Sequence, residues 1–332
     1  MVEMKRRKFL VNAMITAVTM TAAKGKTDVS AGQIASPAFF PGFMPLDVKA
    51  GGVRFHGVTG GSGPPVLLLH GYPETHIAWR KIAPALSRGY RLVIPDLPGY
   101  GASRPDATTP RWTKRRNGAA LVELMRTLGH DRFAMIGHDR GARVGYRLVL
   151  DHPKIVSCFA SLAVVPTIDA MEAVDYRFST TNYHWFFLAQ EADLPERLLA
   201  GNPDAFLDRE FALMSTDLGR VVEAPAMAKY HAAFRDPTVR HAICEDYRSA
   251  LNEDLGYDAA DRANGRRLDC PVLSLWPRAQ AKDGKPDPAE IWRRWADSVT
   301  GVATGGGHLQ PEDQPDEVLD ALRTFLPRYL PS

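Results

Sequence analysis

Short, unbroken apolar runs recur along the chain, separated by stretches with helical spacing. PVLLLHG (65–71), YRLVIPDLPGYGAS (90–103), RFAMIGHD (132–139), IVSCFASLAVV (155–165) and CPVLSLWP (270–277) carry apolar runs of strand length. Such runs read as strands buried on both faces. VRFHGV (53–58) alternates like an edge strand, and GVATGG (301–306) is a shorter strand. Between them lie HIAWRKIAPALS (76–87), with helical spacing, and LVELMRTLG (121–129), which closes a helix with a glycine stop. GARVGYRLVLDHP (141–153) is a helix that must end before Pro153, and PAEIWRRWAD (288–297) and DEVLDALRTFL (316–326) follow as helices. FFPGF (39–43) reads as a docking or linker stretch.

Strand and helix alternate, which predicts an α/β class: a doubly wound, mostly parallel sheet with helices on both faces. The alternation stops between about 167 and 263, where the chain is aromatic and polar with helical stretches and no buried strand runs. The expected organisation is a core formed by 39–166 and 264–332, with a helical cap, 167–263, inserted after the strand at 155–165. Such a cap would lie over the carboxyl ends of the strands, where ligands bind in open parallel sheets.

Composition narrows the function. The chain has 332 residues, 41 basic against 38 acidic, and no basic stripe interleaved with aromatics, so nothing points to nucleic acid. Cys158, Cys244 and Cys270 are odd in number and in no metal-like spacing, which supports neither a disulfide framework nor a metal site. The N-terminal KRRKFLVNAMITAVTMTAA pairs Arg6 and Arg7 ahead of a mildly apolar stretch too short to span a membrane. It resembles a twin-arginine export signal, cleaved after Ala23 or Ala31. Residues 1–31 are therefore expected to be removed, leaving a periplasmic protein, or a cytoplasmic one if the signal is unused.

The chemistry concentrates in GHDRG (137–141), a G-x-nucleophile-x-G turn between a buried strand and a helix, with Asp139 at the apex. Glycines flank it because the turn is too tight for side chains. A carboxylate attacks carbonyls poorly but suits displacement at a saturated carbon, which leaves an alkyl ester on the enzyme. Hydrolysing that ester needs a base for water and two N–H donors for the oxyanion. The backbone N–H groups of Tyr72 and Arg140 are the expected donors. Arg140 and Arg143, three apart at the helix start, suit a carboxylate beside the reacting carbon. His308, in GGGHLQPED after the last strand, stands where the base of such a turn lies.

These motifs together resemble the α/β-hydrolase fold and, within it, the haloacetate (fluoroacetate) dehalogenase family. HGYPETHIAWRKIAP, IPDLPGYGAS, GHDRGARVGYRLVLDHP, YHWFFLAQ, CEDYR and GGHLQPED carry the resemblance, from about 39 to 326. HGYP is shared with epoxide hydrolases; HDRGAR with YHW is more specific. The resemblance implies that His184, Trp185 and Tyr247 cradle the leaving halide, and that no metal or organic cofactor takes part. It leaves Tyr183 structural. A homodimer is in keeping with such enzymes.

One position departs from the pattern. The family carries Asp in a segment like LDIVPT, where this chain has LAVVPT, with Ala163 at that place. Alanine cannot fix the tautomer of His308. Asp283, in the loop after the next strand, is the first substitute, ahead of Asp287, with Asp169 a third. The sequence thus predicts a dehalogenase of short 2-halo acids. An epoxide hydrolase, using the same Asp and His with Tyr183 and Tyr247, is the first alternative. A carboxylate-binding protein with impaired turnover is the second.

Overall fold

The computed structural model describes residues 39–281 and 286–330. The leader (1–31) and Asp283 lie outside the described residues. Among the described residues nine strands form one sheet: β1 (Met44–Ala50), β2 (Val53–Gly60), β3 (Pro65–Leu69), β4 (Arg91–Pro95), β5 (Arg104–Pro105), β6 (Phe133–His138), β7 (Val156–Leu162), β8 (Val272–Pro277) and β9 (Val299–Thr304). Their order is β1-β2-β4-β3-β6-β7-β8-β9, with the short β5 beside β2. The pairings of β2 with β1, β4 and β5 are antiparallel; every pairing from β4 through β3 to β9 is parallel.

The apolar runs become the central strands because both of their faces are covered. Val66, Leu67, Leu68 and Leu69 of β3 are wholly buried. Burying each such side chain stabilises the fold by about 1.5–3 kcal/mol relative to exposing it. From β3 the chain winds to β4 on one side and returns to β6 on the other. The crevice at the carboxyl ends of β3 and β6 is thus the switch point where open sheets hold ligands.

Several details differ from the sequence reading. The helix expected over 288–297 ends at Trp292, and the stretch 53–58, expected at an edge, lies in β2 between β1 and β4. The stretch 76–87 is not one helix but a 3₁₀ turn, His76–Trp79, and a short helix, Ala83–Leu86. Pro84 lacks the N–H that would have continued a single helix. The helix ending near 128 starts earlier, at Lys114, where Thr113 Oγ1 accepts the Arg116 N–H. FFPGF leads into an unforeseen edge strand, β1, with Phe40 packed in the core.

Between β7 and β8 the described chain forms only helices, from Thr167–Glu172 to Glu253–Ala263. Cys158, Cys244 and Cys270 are all buried and free. Among the described residues no helix is long and apolar enough to cross a membrane, and no cluster of three or more metal-binding side chains occurs.

Candidate active site

β6 runs out at His138, and the helix Arg140–Asp151 begins two residues on. Asp139 joins them at φ 45° and ψ −112°, a conformation a side-chain-bearing residue rarely adopts. The neighbours permit nothing larger than glycine. A Cβ at Gly141 would sit 2.4 Å from the Leu69 carbonyl oxygen, and one at Gly137 would meet the Ala142 backbone at 2.6 Å. The turn thus sets Asp139 at the carboxyl end of the central strand β6.

The Tyr72 backbone N–H donates to Asp139 Oδ1 at 3.1 Å. His308 Nε2 lies 3.5 Å from Asp139 Oδ2. The two carboxylate oxygens are thereby divided, one held by a backbone donor and one facing the base. Burial would raise the Asp139 pKa, but the hydrogen bond with His308 and the charges of His308, Arg140 and Arg143 outweigh it and hold the carboxyl far below the usual range. Asp139 is thus an ionised, buried carboxylate.

His70 fixes the loop that carries Tyr72. Its Nε2 accepts the Leu97 N–H at 3.0 Å, so Nδ1 carries the proton and donates to the Gly71 carbonyl at 2.9 Å. His138 ties the elbow to the base loop. Its Nδ1 faces Glu74 Oε2 at 2.9 Å and its Nε2 faces the His308 carbonyl at 2.8 Å. Burial opposes charge on His138, but the Glu74 charge and hydrogen bond, with help from Asp139, raise its pKa. A raised folded-state pKa contributes stability that is complete below the unfolded value of about 6.5 and is lost as pH rises through the folded value. The melting temperature of His138→Gln is therefore expected to trail that of the unaltered protein most at pH 5.5, with the gap narrowing by pH 9. A gap independent of pH would show that His138 carries no charge.

The arginines separate in role. Arg143 is buried in the wall of the cavity that holds Asp139 and His308. It donates through Nη1 to the Val165 carbonyl and Thr167 Oγ1, stacks its guanidinium 4.6 Å from the Trp185 ring centre, and leaves Nε unpartnered. Arg140 is not among the cavity's lining residues. Its Nε donates to Asp246 Oδ2 at 2.5 Å and an Nη2 hydrogen bond reaches the Asp246 carbonyl at 2.8 Å, while Nη1 is buried without a partner. Lys114 pairs with the other Asp246 oxygen, and its Nζ lies 3.6 Å from Asp254. Removing one partner from such a buried cluster typically costs about 3–5 kcal/mol.

The cavity encloses about 390 Å³. Asp139, Arg143, Ala163, His184, Trp185, Glu210, Tyr247, Gln280 and His308 contribute to its wall, but Tyr183 does not. Of the residues expected from sequence, Asp139, Arg143, His184, Trp185, Tyr247 and His308 line this cavity, while Tyr72 reaches Asp139 through its backbone N–H.

Among the described residues the carboxylate that pairs with His308 is Asp139 itself. Ala163 lines the cavity at φ 66°. Asp287 caps a helix by accepting the Glu290 N–H, and Asp169 is bound to Arg294 and to Trp295 Nε1. Those two substitutes are engaged elsewhere. Three acids escaped the sequence reading: Glu74, Asp246 and Glu210. Asp246 adjoins Tyr247 in CEDYR and Glu74 lies in HGYPET, so the motifs contained both. No motif marks Glu210.

The chain matches the alpha/beta hydrolase fold family over residues 64–309. It is 34% identical over 290 residues to a fluoroacetate dehalogenase from Burkholderia sp, covering 86% of this chain and 95% of that one. It is 30% identical over 280 residues to a soluble epoxide hydrolase from Corynebacterium sp. (strain C12), covering 83% and 95%. A solved structure from Pseudomonas aeruginosa, provisionally named an epoxide hydrolase, is 49% identical with a TM-score of 0.84, covering 87% of this chain and 97% of that one. A variant bearing that name and source was solved with bound MFA.

Proposed function

Because this chain belongs to the α/β-hydrolase family, we propose that it hydrolyses the carbon–halogen bond of short 2-halo carboxylic acids through an ester on Asp139. The observation that carries this reading is Arg143. It is fully buried beside the nucleophile, and among the described residues no carboxylate forms an ion pair with it. Asp139 is a nearby negative charge for Arg143, but the buried guanidinium has no carboxylate bonded to it. An anionic substrate would supply that bonded partner where its neighbouring carbon faces Asp139.

In the first step Asp139 Oδ2 attacks the carbon bearing the halogen. The C–O bond forms as the C–X bond breaks, and halide departs with the bonding pair toward His184, Trp185 and Tyr247. In the second step His308 removes a proton from water, and the oxygen adds to the ester carbonyl carbon. The oxyanion develops on Oδ1, which already accepts the Tyr72 N–H. The Arg140 N–H, at the start of the elbow helix, is the second donor. Collapse releases the 2-hydroxy acid with the proton from His308, and the Asp139 carboxyl gives the other water proton to solvent, restoring the carboxylate.

An epoxide hydrolase would share Asp139 and His308 but needs tyrosine hydroxyls over the opening ring oxygen. Of those two tyrosines, Tyr247 lines the cavity and Tyr183 does not. The reading is tested with purified protein on fluoroacetate, chloroacetate and styrene oxide. Free halide is expected from the acids, with little diol from the oxide. Diol without halide would contradict it. A stable adduct of chloroacetate on Asp139 without turnover would instead indicate a carboxylate-binding protein.

A further inference from the structure

The helix Pro203–Met214 turns Leu207 and Phe211 into the core, and on that same inward face it carries a carboxylate, Glu210. Glu210 is fully buried and neither of its oxygens accepts a well-directed hydrogen bond. An apolar residue would pack there at lower cost, so the acid calls for a partner. A cavity residue stands within reach: Oε2 lies 3.0 Å from Nδ1 of His184. The Tyr183 hydroxyl also faces this carboxylate, which together with burial raises the tyrosine's pKa.

His184 is otherwise surrounded by rings. Tyr72 stacks on it at 5.4 Å, and Tyr247 meets it edge-on at 5.7 Å. Its Nδ1 has no other partner among the described residues. The proton count then decides what the other nitrogen can do. If one proton serves both groups, it sits on Nδ1 facing the carboxylate, and Nε2 presents a lone pair that repels halide. If the pair holds two, Nε2 keeps its N–H whichever of Glu210 and Nδ1 owns the shared proton. Only the second state can donate to a leaving anion.

Resting on the dehalogenase reading, we propose that Glu210 is a positioning residue that shares a proton with His184 Nδ1 and so keeps Nε2–H as a donor to the departing halide. Fluoride depends on such donors most, being small, basic and strongly hydrated. Bromide leaves readily with less help.

The test compares kcat/KM for fluoroacetate and bromoacetate in Glu210→Leu and Glu210→Gln. The fluoroacetate-to-bromoacetate ratio is expected to fall by about tenfold or more in the leucine variant. The fall should be smaller for glutamine, whose amide can still donate to Nδ1. Equal losses on both acids, or an unchanged ratio, would overturn the role of Glu210 and leave the dehalogenase reading standing. No halide from either acid with the unaltered protein would overturn that reading and this one together. If the leucine variant does not fold, ¹⁵N-histidine NMR of Glu210→Gln decides. The unaltered protein should hold His184 in a shared-proton state that the variant loses, and identical spectra would overturn the proposal.

Discussion

Asp139→Asn is expected to lower halide release by at least about 10⁴-fold, in line with the loss of a covalent nucleophile elsewhere. The fold should survive. An asparagine Oδ1 can still accept the Tyr72 N–H, and the strained turn tolerates Asn as well as Asp. Substrate binding should survive too, and can tighten. The charge of Arg143, on the cavity wall, helps hold Asp139 ionised, so removing the Asp139 charge leaves Arg143 freer for the haloacid. The checks are halide release, the melting temperature and chloroacetate affinity by calorimetry. Residual turnover near that of the unaltered protein would remove Asp139 from the mechanism.

The second large effect runs in the opposite direction. Ala163→Asp is expected to speed hydrolysis of the enzyme ester by as much as about 10²–10⁴-fold, the range over which a carboxylate supports a catalytic histidine. Ala163 shares the cavity wall with His308, and its φ of 66° lies in the left-handed region, which Asp and Asn enter more readily than Ala. The backbone is therefore already shaped for an acid. Rapid-quench mass spectrometry should find the ester accumulating in the unaltered protein and vanishing in the variant. If the ester never accumulates and the rate does not rise, another group already orients His308.

Much of this was legible in the sequence, for a local reason. The elbow is written in five consecutive residues, GHDRG, because the turn's sterics require glycine at both flanks of Asp139. His308 was legible from its place after the last strand. The acids behind these residues were not, because each acts across the fold: Glu74 meets His138 from 64 positions away, and Asp246 meets Arg140 from 106. No spacing rule reaches that far. Glu210 was invisible because a charged residue on a helix usually faces solvent, and only tertiary packing turns it inward. β1 escaped because Pro45 and its exposed face blur the alternation of an edge strand. The split of 76–87 could have been foreseen from Pro84. The two arginines looked equivalent from their spacing, yet the Asp246 pair draws Arg140 behind the cavity and leaves Arg143 on its wall.

The central claim is that the Asp139 carboxylate itself bonds to the carbon that loses halogen. It is tested most directly by one enzyme turnover of chloroacetate in H₂¹⁸O, followed by mass analysis of the product and of the peptide containing Asp139. Attack by the side chain predicts unlabelled oxygen in the first product and ¹⁸O in Asp139. Label found wholly in the product, with Asp139 unlabelled, would mean that water attacks the substrate directly and would contradict the account.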